Sequence, residues 1–134
     1  MTARAAGWAV VAAAFLVGFV NFPLQVVGRR FEYLPGDDID NPLNNFVLEH
    51  GYRYLCGRAD SFWDIPCFYP QPLVTAWSDA HLGMLPVYAA LRAGGLSPER
   101  AFQGHFLIPF VLNYLTAVWA LRRLGFGPFA SRKS

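Results

Sequence analysis

Three carboxylates lie within four residues of one another: Asp37, Asp38 and Asp40, directly after a Pro-Gly pair. Their mutual repulsion must be relieved by a cation, a proton or solvent. In a catalytic interpretation, Asp37 or Asp38 deprotonates an acceptor hydroxyl, and a neighbour such as Asp40 orients that group, binds a metal ion or contacts the donor substrate. In a structural interpretation, Asp37 and Asp38 form a turn and Asp40 caps a helix. The cluster directly follows a predicted membrane span, and this position favours the catalytic interpretation.

Three histidines are the next candidates, and each has a structural alternative. His50 lies on the apolar stripe of a predicted helix, where a packed, hydrogen-bonded residue is the commoner case. His81 lies at the start of the next predicted helix, where it either faces a polar headgroup or belongs to a capping turn. His105 lies one turn inside the last predicted span, where polar groups usually face protein or a cavity; interhelical hydrogen bonding is the alternative. We treat His81 and His105 as candidate substrate-binding residues.

Two long uncharged runs must position these residues. The first covers 22 residues, 7–28, and the second covers 21 residues, 101–121. A helix of 22 residues rises about 33 Å, which is enough to cross the hydrocarbon core of a bilayer. Both runs are therefore predicted to be transmembrane helices, with a kink at Pro109 in the second. A cleaved signal peptide is the alternative for the first run, but the run is long for that role and no small-x-small cleavage site follows it before Arg29.

The basic residues predict an orientation in the membrane. Arg4 precedes the first run, and four basic residues follow the second: Arg122, Arg123, Arg132 and Lys133. Lys and Arg near span ends favour the cytoplasm, so both termini, 1–6 and 122–134, are predicted to be cytoplasmic. The 72 residues 29–100 then form one extracytoplasmic loop. The pair Arg29 and Arg30 argues mildly against this orientation.

Two short helices are predicted inside the loop. One covers about 42–55, with Asp40 or Asn41 as its cap and Pro42 at its first position. Its apolar residues recur at helical spacing, and Glu49 and Arg53 form an i, i+4 pair. The other helix covers about 80–93, with Asp79 as its cap. The fold class is therefore an all-α membrane protein, with two transmembrane helices joined by a large extracytoplasmic loop that carries short amphipathic helices.

The segment 62–72 combines four aromatic residues with three prolines, which predicts a stiff, extended loop. Its aromatic rings, together with Trp77, either stack on sugars or anchor the loop at the headgroup level of the membrane. Cys56 and Cys67 also lie in the loop, where an oxidising compartment would permit a disulfide; small buried apolar thiols are the alternative.

Composition excludes several classes of function. The net charge of +2 is small, and no stretch interleaves basic and aromatic residues, so no nucleic-acid partner is predicted. The sequence has no His and Cys spacing typical of a metal site, no phosphate-binding glycine loop and no serine nucleophile motif. Membrane lipid is the partner that this composition predicts.

The order of several short motifs resembles a known family. After the first run come PGDDID at 35–40, NFVLEHGYR at 45–53, FWDIPCFYP at 62–70, WSDAHLG at 77–83 and LRRLG at 121–125. This order, over about 7–125, resembles the amino-terminal part of bacterial polytopic membrane proteins of the GT-C glycosyltransferase type. The resemblance implies a location in the bacterial cytoplasmic (inner) membrane.

The resemblance also implies a reaction. The donor would be a polyprenyl-phosphate-linked sugar, and an acidic residue of the first extracytoplasmic loop would be the catalytic base, a role that falls on Asp37 or Asp38. Arg53 and Arg58 are candidates for contact with the donor phosphate. Some relatives use a divalent metal ion and others use none, so a metal cofactor stays open.

Members of this group have many more spans than two. The resemblance therefore implies that the chain is an amino-terminal fragment, or that a partner chain supplies the missing transmembrane helices, and that the isolated chain is inactive. Two alternatives stay open. One is a small non-enzymatic membrane protein whose aromatic loop binds lipid or a partner, and the other is a nonfunctional truncated remnant.

Overall fold

The computed structural model describes residues 3–37 and 39–126, with side chains from residue 5 onward. Within these ranges the regular elements are all helices, which confirms the all-α class for this part of the chain. They are α1 (Ala3–Asn21), α2 (Pro23–Val27), α3 (Asp40–Leu55), α4 (Val74–Trp77), α5 (Leu85–Ala93), α6 (Pro98–Arg123) and a single 3-10 turn at Pro66–Phe68. The predicted site residue Asp38 lies outside the described residues, as do Arg132 and Lys133.

Two stretches are long and apolar enough to cross a membrane: Ala5–Val27, which combines α1 and α2, and α6 at Pro98–Arg123. In their most apolar windows, 11% of the residues are buried in the first stretch and 0% in the second. Neither stretch is therefore packed as the core helix of a soluble fold would be. Large apolar side chains point outward instead; Leu16 is 59% exposed and Leu115 is 56% exposed.

The first stretch is two helices rather than the one helix predicted over 7–28. Phe22 leaves helical geometry with φ −124° and ψ −79°, and α2 begins at Pro23. Proline has no N–H to donate to the preceding turn, and its ring disfavours helical backbone at the residue before it. By contrast, α6 continues through Pro109. The kink predicted there stays a prediction.

The two long stretches run antiparallel. Near the chain termini, the guanidinium carbon of Arg122 lies 4.6 Å from the ring centroid of Trp8. Further along, the rings of Phe15 and Tyr114 lie 5.1 Å apart, and the Tyr114 hydroxyl donates a hydrogen bond to Val11 O at 2.7 Å. We call the end of this pair where Trp8 meets Arg122 the terminal end, and the end where α2 finishes and α6 begins the loop end.

A small helical domain lies at the loop end. It consists of α3, α5 and the first turns of α6, whose buried side chains form its core: Leu48, Leu85, Tyr88, Ala101 and Phe102. Glycines permit the close helix packing. A Cβ added to Gly51 would lie 2.9 Å from Leu85 Cδ1, and one added to Gly104 would lie 2.7 Å from Leu91 Cδ1. We call this unit the loop domain.

Gln103 connects the segment after α2 to α6. Its side chain is 2% exposed, and its Nε2 donates hydrogen bonds to the carbonyl oxygens of Phe31 (2.8 Å) and Tyr33 (2.7 Å). A buried amide whose donors are both satisfied by backbone carbonyls holds that segment in place. The pattern of apolar residues does not single out this glutamine.

The start of α3 differs from the prediction. The helix begins at Asp40, so Pro42 is its third residue and neither Asp40 nor Asn41 is its cap. Its first turn is capped instead by Asp37, whose Oδ1 accepts hydrogen bonds from the backbone N–H groups of Ile39 (2.9 Å) and Asp40 (2.6 Å). Carboxylates favour this position because the first N–H groups of a helix have no partner within it.

The second loop helix is shorter than predicted. α5 begins at Leu85 rather than near 80, so Asp79 is not its cap. Pro86 lies in its first turn, where its missing N–H costs nothing, and His81 has a left-handed φ of +49° that excludes it from the helix. The last helix starts as predicted, with the Ser97 hydroxyl accepting a hydrogen bond from Arg100 N (3.3 Å).

The aromatic segment 62–72 is not fully extended, because it contains the 3-10 turn at Pro66–Phe68. The four-residue helix α4 follows it and was not predicted. Cys56 and Cys67 are both free thiols, and Cys56 is exposed. The disulfide that the sequence left open is therefore not formed in this structure.

Candidate functional site

A cavity of about 420 Å³ lies at the loop end, between α2, α3 and α6. Its polar lining consists of Asn41, Asn44, His81 and His105. Its apolar lining includes Phe22, Val26, Phe102 and Phe106. We call it the loop-end cavity. It combines one polar side with one aromatic side at the point where both candidate spans end.

His81 enters this cavity from the turn before α5. Its Nε2 lies 3.0 Å from Asn44 Oδ1; because that oxygen only accepts hydrogen bonds, Nε2 carries the proton. The other ring nitrogen, Nδ1, is then the acceptor in the neutral ring and becomes a second donor when the ring is protonated. Asn44 thereby fixes both the orientation and the tautomer of His81.

His105 enters from α6. Its Nδ1 lies 2.5 Å from Phe102 O, one turn earlier in the helix, so Nδ1 carries the proton and Nε2 is the nitrogen left for other partners. Its ring also packs on Phe102, with centroids 4.6 Å apart. The hydrogen bond of Nδ1 therefore stays within α6 and is not the interhelical bond that was the structural alternative for His105.

A second cavity, of about 330 Å³, continues from the first along α6. The two share Phe22, His105 and Phe106, and the second adds Pro109 and Phe110 deeper in the span. Together they form a groove that is polar at the loop end and mainly apolar along α6, with the polar side chain of Asn113 at its far end. This is the shape required by an amphiphile with a polar head and an apolar tail.

The segment that carries the acidic cluster lies beside this cavity. Gly36 lines it with φ +112°, and a Cβ there would lie 2.7 Å from Asn41 Cγ. Asn41 in turn donates a short hydrogen bond to the carbonyl oxygen of Asp37. The Asp37 carboxylate accepts hydrogen bonds from the backbone at the start of α3, whereas the structural interpretation gave the cap to Asp40. Asp40 is exposed on the first turn.

Arg53 and Arg58 lie far from these groups. Arg53 is thirteen residues along α3 from Asp40, which separates them by about 20 Å along the helix axis. Both arginines are exposed, and neither lines the cavity. His50 is also elsewhere; its Nε2 is 2.8 Å from Ser61 O, in agreement with the predicted structural role. Of the predicted site residues, the structure therefore brings together His81 and His105.

Sequence reasoning missed Asn41 and Asn44. The two asparagines are three residues apart on α3, which is the spacing of neighbours on one helix face. A polar pair on the face that also buries Val47 and Leu48 was the available signal.

The loop domain also contains a polar network between α3 and α5. Glu49 pairs with Arg92 rather than with the predicted Arg53, through bonds of 2.7 Å (Nε to Oε2) and 3.0 Å (Nη2 to Oε1). The hydroxyl of Tyr88 lies 2.9 Å from Glu49 Oε2 and 3.2 Å from Asn45 Oδ1. Burial raises the pKa of Tyr88, and the Glu49 carboxylate raises it further, so the phenol stays protonated and donates.

This network makes the loop domain sensitive to acid. Burial opposes ionisation of Glu49, but hydrogen bonds from Arg92 and Tyr88 outweigh it and hold its pKa below the ordinary value of 4.5. Such a carboxyl group stabilises the fold above its unfolded-state pKa, and this stabilisation is lost as pH falls through the folded-state pKa. We expect the midpoint temperature of thermal unfolding of the loop domain to decrease as the pH is lowered below 4.5. Glu49→Gln should make this midpoint less dependent on pH.

Glu99→Gln is the matched control, because Glu99 lies on the first turn of α6 outside the ion pair. Part of the acid dependence is expected to survive Glu49→Gln. The reason is Asp64, whose pKa is lowered mainly by a hydrogen bond from Leu73 N. An equal change in both glutamate variants would show that the ion pair does not carry the effect.

Among the described residues, no group of three or more His, Cys, Asp or Glu side chains is placed to hold a metal ion. The metal requirement therefore stays open. Comparisons with known proteins give no match: no family model, no curated protein and no solved structure is significantly similar to this chain.

Proposed function

We propose that this chain is an integral membrane protein that binds a lipid-linked phosphate in the loop-end cavity. Two observations support membrane insertion: the apolar stretches Ala5–Val27 and Pro98–Arg123 are long enough to span a bilayer, and few or none of the residues in their most apolar parts are buried. Arg122 and Arg123 at the terminal end favour the cytoplasm for that end. In this orientation the loop domain is extracytoplasmic, at the outer face of a bacterial inner membrane.

The observation that carries the ligand proposal is the change from polar to aromatic lining along one continuous groove. A phosphate monoester or diester needs hydrogen-bond donors, and the polar side chains that line the loop end, Asn41, Asn44, His81 and His105, are the groups that can supply them. An isoprenoid or acyl chain needs apolar contact, and Phe106, Pro109 and Phe110 supply it along α6. The groove therefore suits a polyprenyl phosphate better than a soluble sugar.

We further propose that the lipid-linked phosphate carries a sugar, and that the chain contributes to a membrane glycosyltransferase. The order of motifs that resembles the GT-C type supports this step. Asp37 already uses Oδ1 to cap α3, which leaves Asp38 as the stronger candidate for the catalytic base. Further spans, from the same reading frame or from a partner chain, would close the groove on its open side.

Binding of a polyprenyl phosphate to the 134-residue chain in nanodiscs tests the proposal. We expect the phosphate to bind more tightly than the matching polyprenol, because the polyprenol lacks the charged group that the polar side of the cavity would bind. The double variant His81→Ala/His105→Ala should weaken binding by about tenfold, because it removes donors to a charged group. Asp38→Asn should leave binding unchanged and abolish sugar transfer by the longest natural reading frame.

His50→Ala is the matched control, since His50 lies outside the cavity. Equal affinity for the phosphate and the alcohol would refute a phosphate site. Unchanged affinity in the double histidine variant would refute the location of the phosphate site at His81 and His105.

A second candidate function has its own observation. The aromatic loop exposes Phe68 (60%), Tyr69 (89%) and Trp77 (80%) beside an apolar groove of about 560 Å³. Such rings favour the headgroup level of a membrane. This surface supports a non-enzymatic protein that holds its loop domain on the membrane or on a partner.

A further inference from the structure

A separate cavity of about 470 Å³ lies at the terminal end of the two spans. Among the described residues, six line it: Trp8, Leu115, Val118, Trp119, Arg122 and Arg123. Trp8 comes from α1 and the other five come from α6. The cavity thus exists only where the two helices meet.

Each arginine at this cavity is held over a tryptophan. The guanidinium carbon of Arg122 lies 4.6 Å from the Trp8 ring centroid, and that of Arg123 lies 5.6 Å from the Trp119 ring centroid. A cation above an aromatic face is attracted by the ring, and the planar guanidinium group keeps its donors at its edge while stacked. Two positive charges are therefore oriented at the rim before any ligand binds.

The deeper lining is apolar. Leu115 lies seven residues before Arg122 on α6, about 10 Å further along the helix axis. Val118 lies between them. From the rim inward, the cavity passes from guanidinium groups through indole rings to aliphatic side chains. This order matches a membrane lipid, whose charged phosphate, glycerol region and acyl chain follow in the same sequence.

We infer that the terminal-end cavity binds an anionic phospholipid, with the headgroup at Arg122 and Arg123 and an acyl chain along Leu115 and Val118. The inference rests on the proposed membrane insertion. Basic pockets between spans on the cytoplasmic side are suited to acidic headgroups, and indole rings favour the interface at which the glycerol region lies.

A simpler explanation of the arginines predicts a different outcome. Basic residues in the last turn complement the helix dipole and orient the span. On that explanation any basic pair near the membrane attracts anionic lipid to a similar degree, and the two tryptophans have no part in it.

Quenching of tryptophan fluorescence by brominated phospholipids distinguishes these explanations. The full chain carrying Trp63→Phe and Trp77→Phe keeps Trp8 and Trp119 as its only tryptophans, which are excited selectively over its tyrosines at the red edge of the absorption band. It is placed in phosphatidylcholine vesicles that contain an equal fraction of brominated phosphatidylglycerol or brominated phosphatidylcholine. We expect the brominated anionic lipid to compete about fivefold more effectively for the protein surface. Arg122→Gln/Arg123→Gln should reduce this ratio to about one.

Two paired variants are the controls. Arg29→Gln/Arg30→Gln removes the same charge beyond α2 at the loop end, and Arg132→Gln/Lys133→Gln removes it from the chain terminus. Both should retain the preference for anionic lipid. If Arg132→Gln/Lys133→Gln lost the preference for anionic lipid, that preference would belong to the basic tail and the inference would be overturned. The inference would also be overturned if Arg122→Gln/Arg123→Gln kept the preference.

Two further results distinguish a failure of membrane insertion from a failure of the lipid site. Failure of the chain to float with vesicles after carbonate extraction would contradict membrane insertion itself. Flotation without a preference for anionic lipid would contradict only the lipid site. Glycerol phosphate in solution should not relieve the quenching; if it does, the cavity recognises free phosphate and the assignment to a phospholipid fails.

Discussion

Replacing Tyr88 by alanine is expected to lower the free energy of unfolding of the loop domain by about 3–5 kcal/mol. Tyr88 is 0% exposed and lies in the core with Leu48 and Phe102. The substitution removes its ring from the core and its hydroxyl from Glu49. Tyr88→Phe keeps the ring and loses the hydrogen bond to a charged acceptor, so it should cost about 1.5–3 kcal/mol.

Hydrogen exchange in nanodiscs measures this loss element by element. Amides of α3 and α5 should exchange faster in Tyr88→Ala, because the opening free energy of the loop domain falls. Amides of α1 are the internal control and should keep their protection. Faster exchange throughout the chain would mean that the loop domain is not a separate cooperative unit. Equal effects of alanine and phenylalanine would assign the stability to the hydroxyl alone.

Gly36→Ala is expected to deform the loop-end cavity and to destabilise the start of α3. Its φ of +112° is strained for any residue with a Cβ, and the new Cβ would lie 2.7 Å from Asn41 Cγ. Strained backbone of this kind costs about 1–3 kcal/mol. The collision adds to that cost because Asn41 is 8% exposed and is hydrogen-bonded to Asp37 O. Affinity for polyprenyl phosphate should fall along with protection of the first turn of α3.

Gly57→Ala is a close control for Gly36→Ala. Gly57 also has a positive φ, of +67°, but a Cβ there would meet nothing within 4 Å. It therefore isolates backbone strain from the collision with Asn41. A larger loss of stability and of ligand affinity in Gly36→Ala is the expected difference. Two variants with the same small effect would show that the Gly36 turn can move away from Asn41 without disturbing the cavity.

Hydrophobic runs predicted the two long stretches well, because a length of apolar sequence is a local property of the chain. The positions at which the helices begin and end depend on single residues. Pro23 divides the first stretch into α1 and α2, which the uncharged run over 7–28 does not reveal. Pro86 similarly moved the start of α5 to Leu85. In both places the steric rule for proline indicates the boundary, and apolar periodicity alone does not.

The site was less predictable, because it depends on residues that are distant in sequence. Glu49 has an acceptable partner four residues away in Arg53, yet it pairs with Arg92, 43 residues later. His81 and His105 were singled out separately, for a turn and for a span. They line one cavity because the turn before α5 is held on α3, through His81 and Asn44, beside the start of α6. Helical spacing shows which residues share a face but not which faces meet.

The loop domain has a consequence for the biogenesis of the protein. Its core is closed by Ala101 and Phe102, and Gln103 holds the segment after α2. All three belong to the first turns of α6, which leaves the ribosome after α3 and α5. In the proposed topology, α3 and α5 are translocated before the helix that completes their core has been inserted. During that interval their apolar faces are uncovered, so the domain can complete its core only once the start of α6 has joined it.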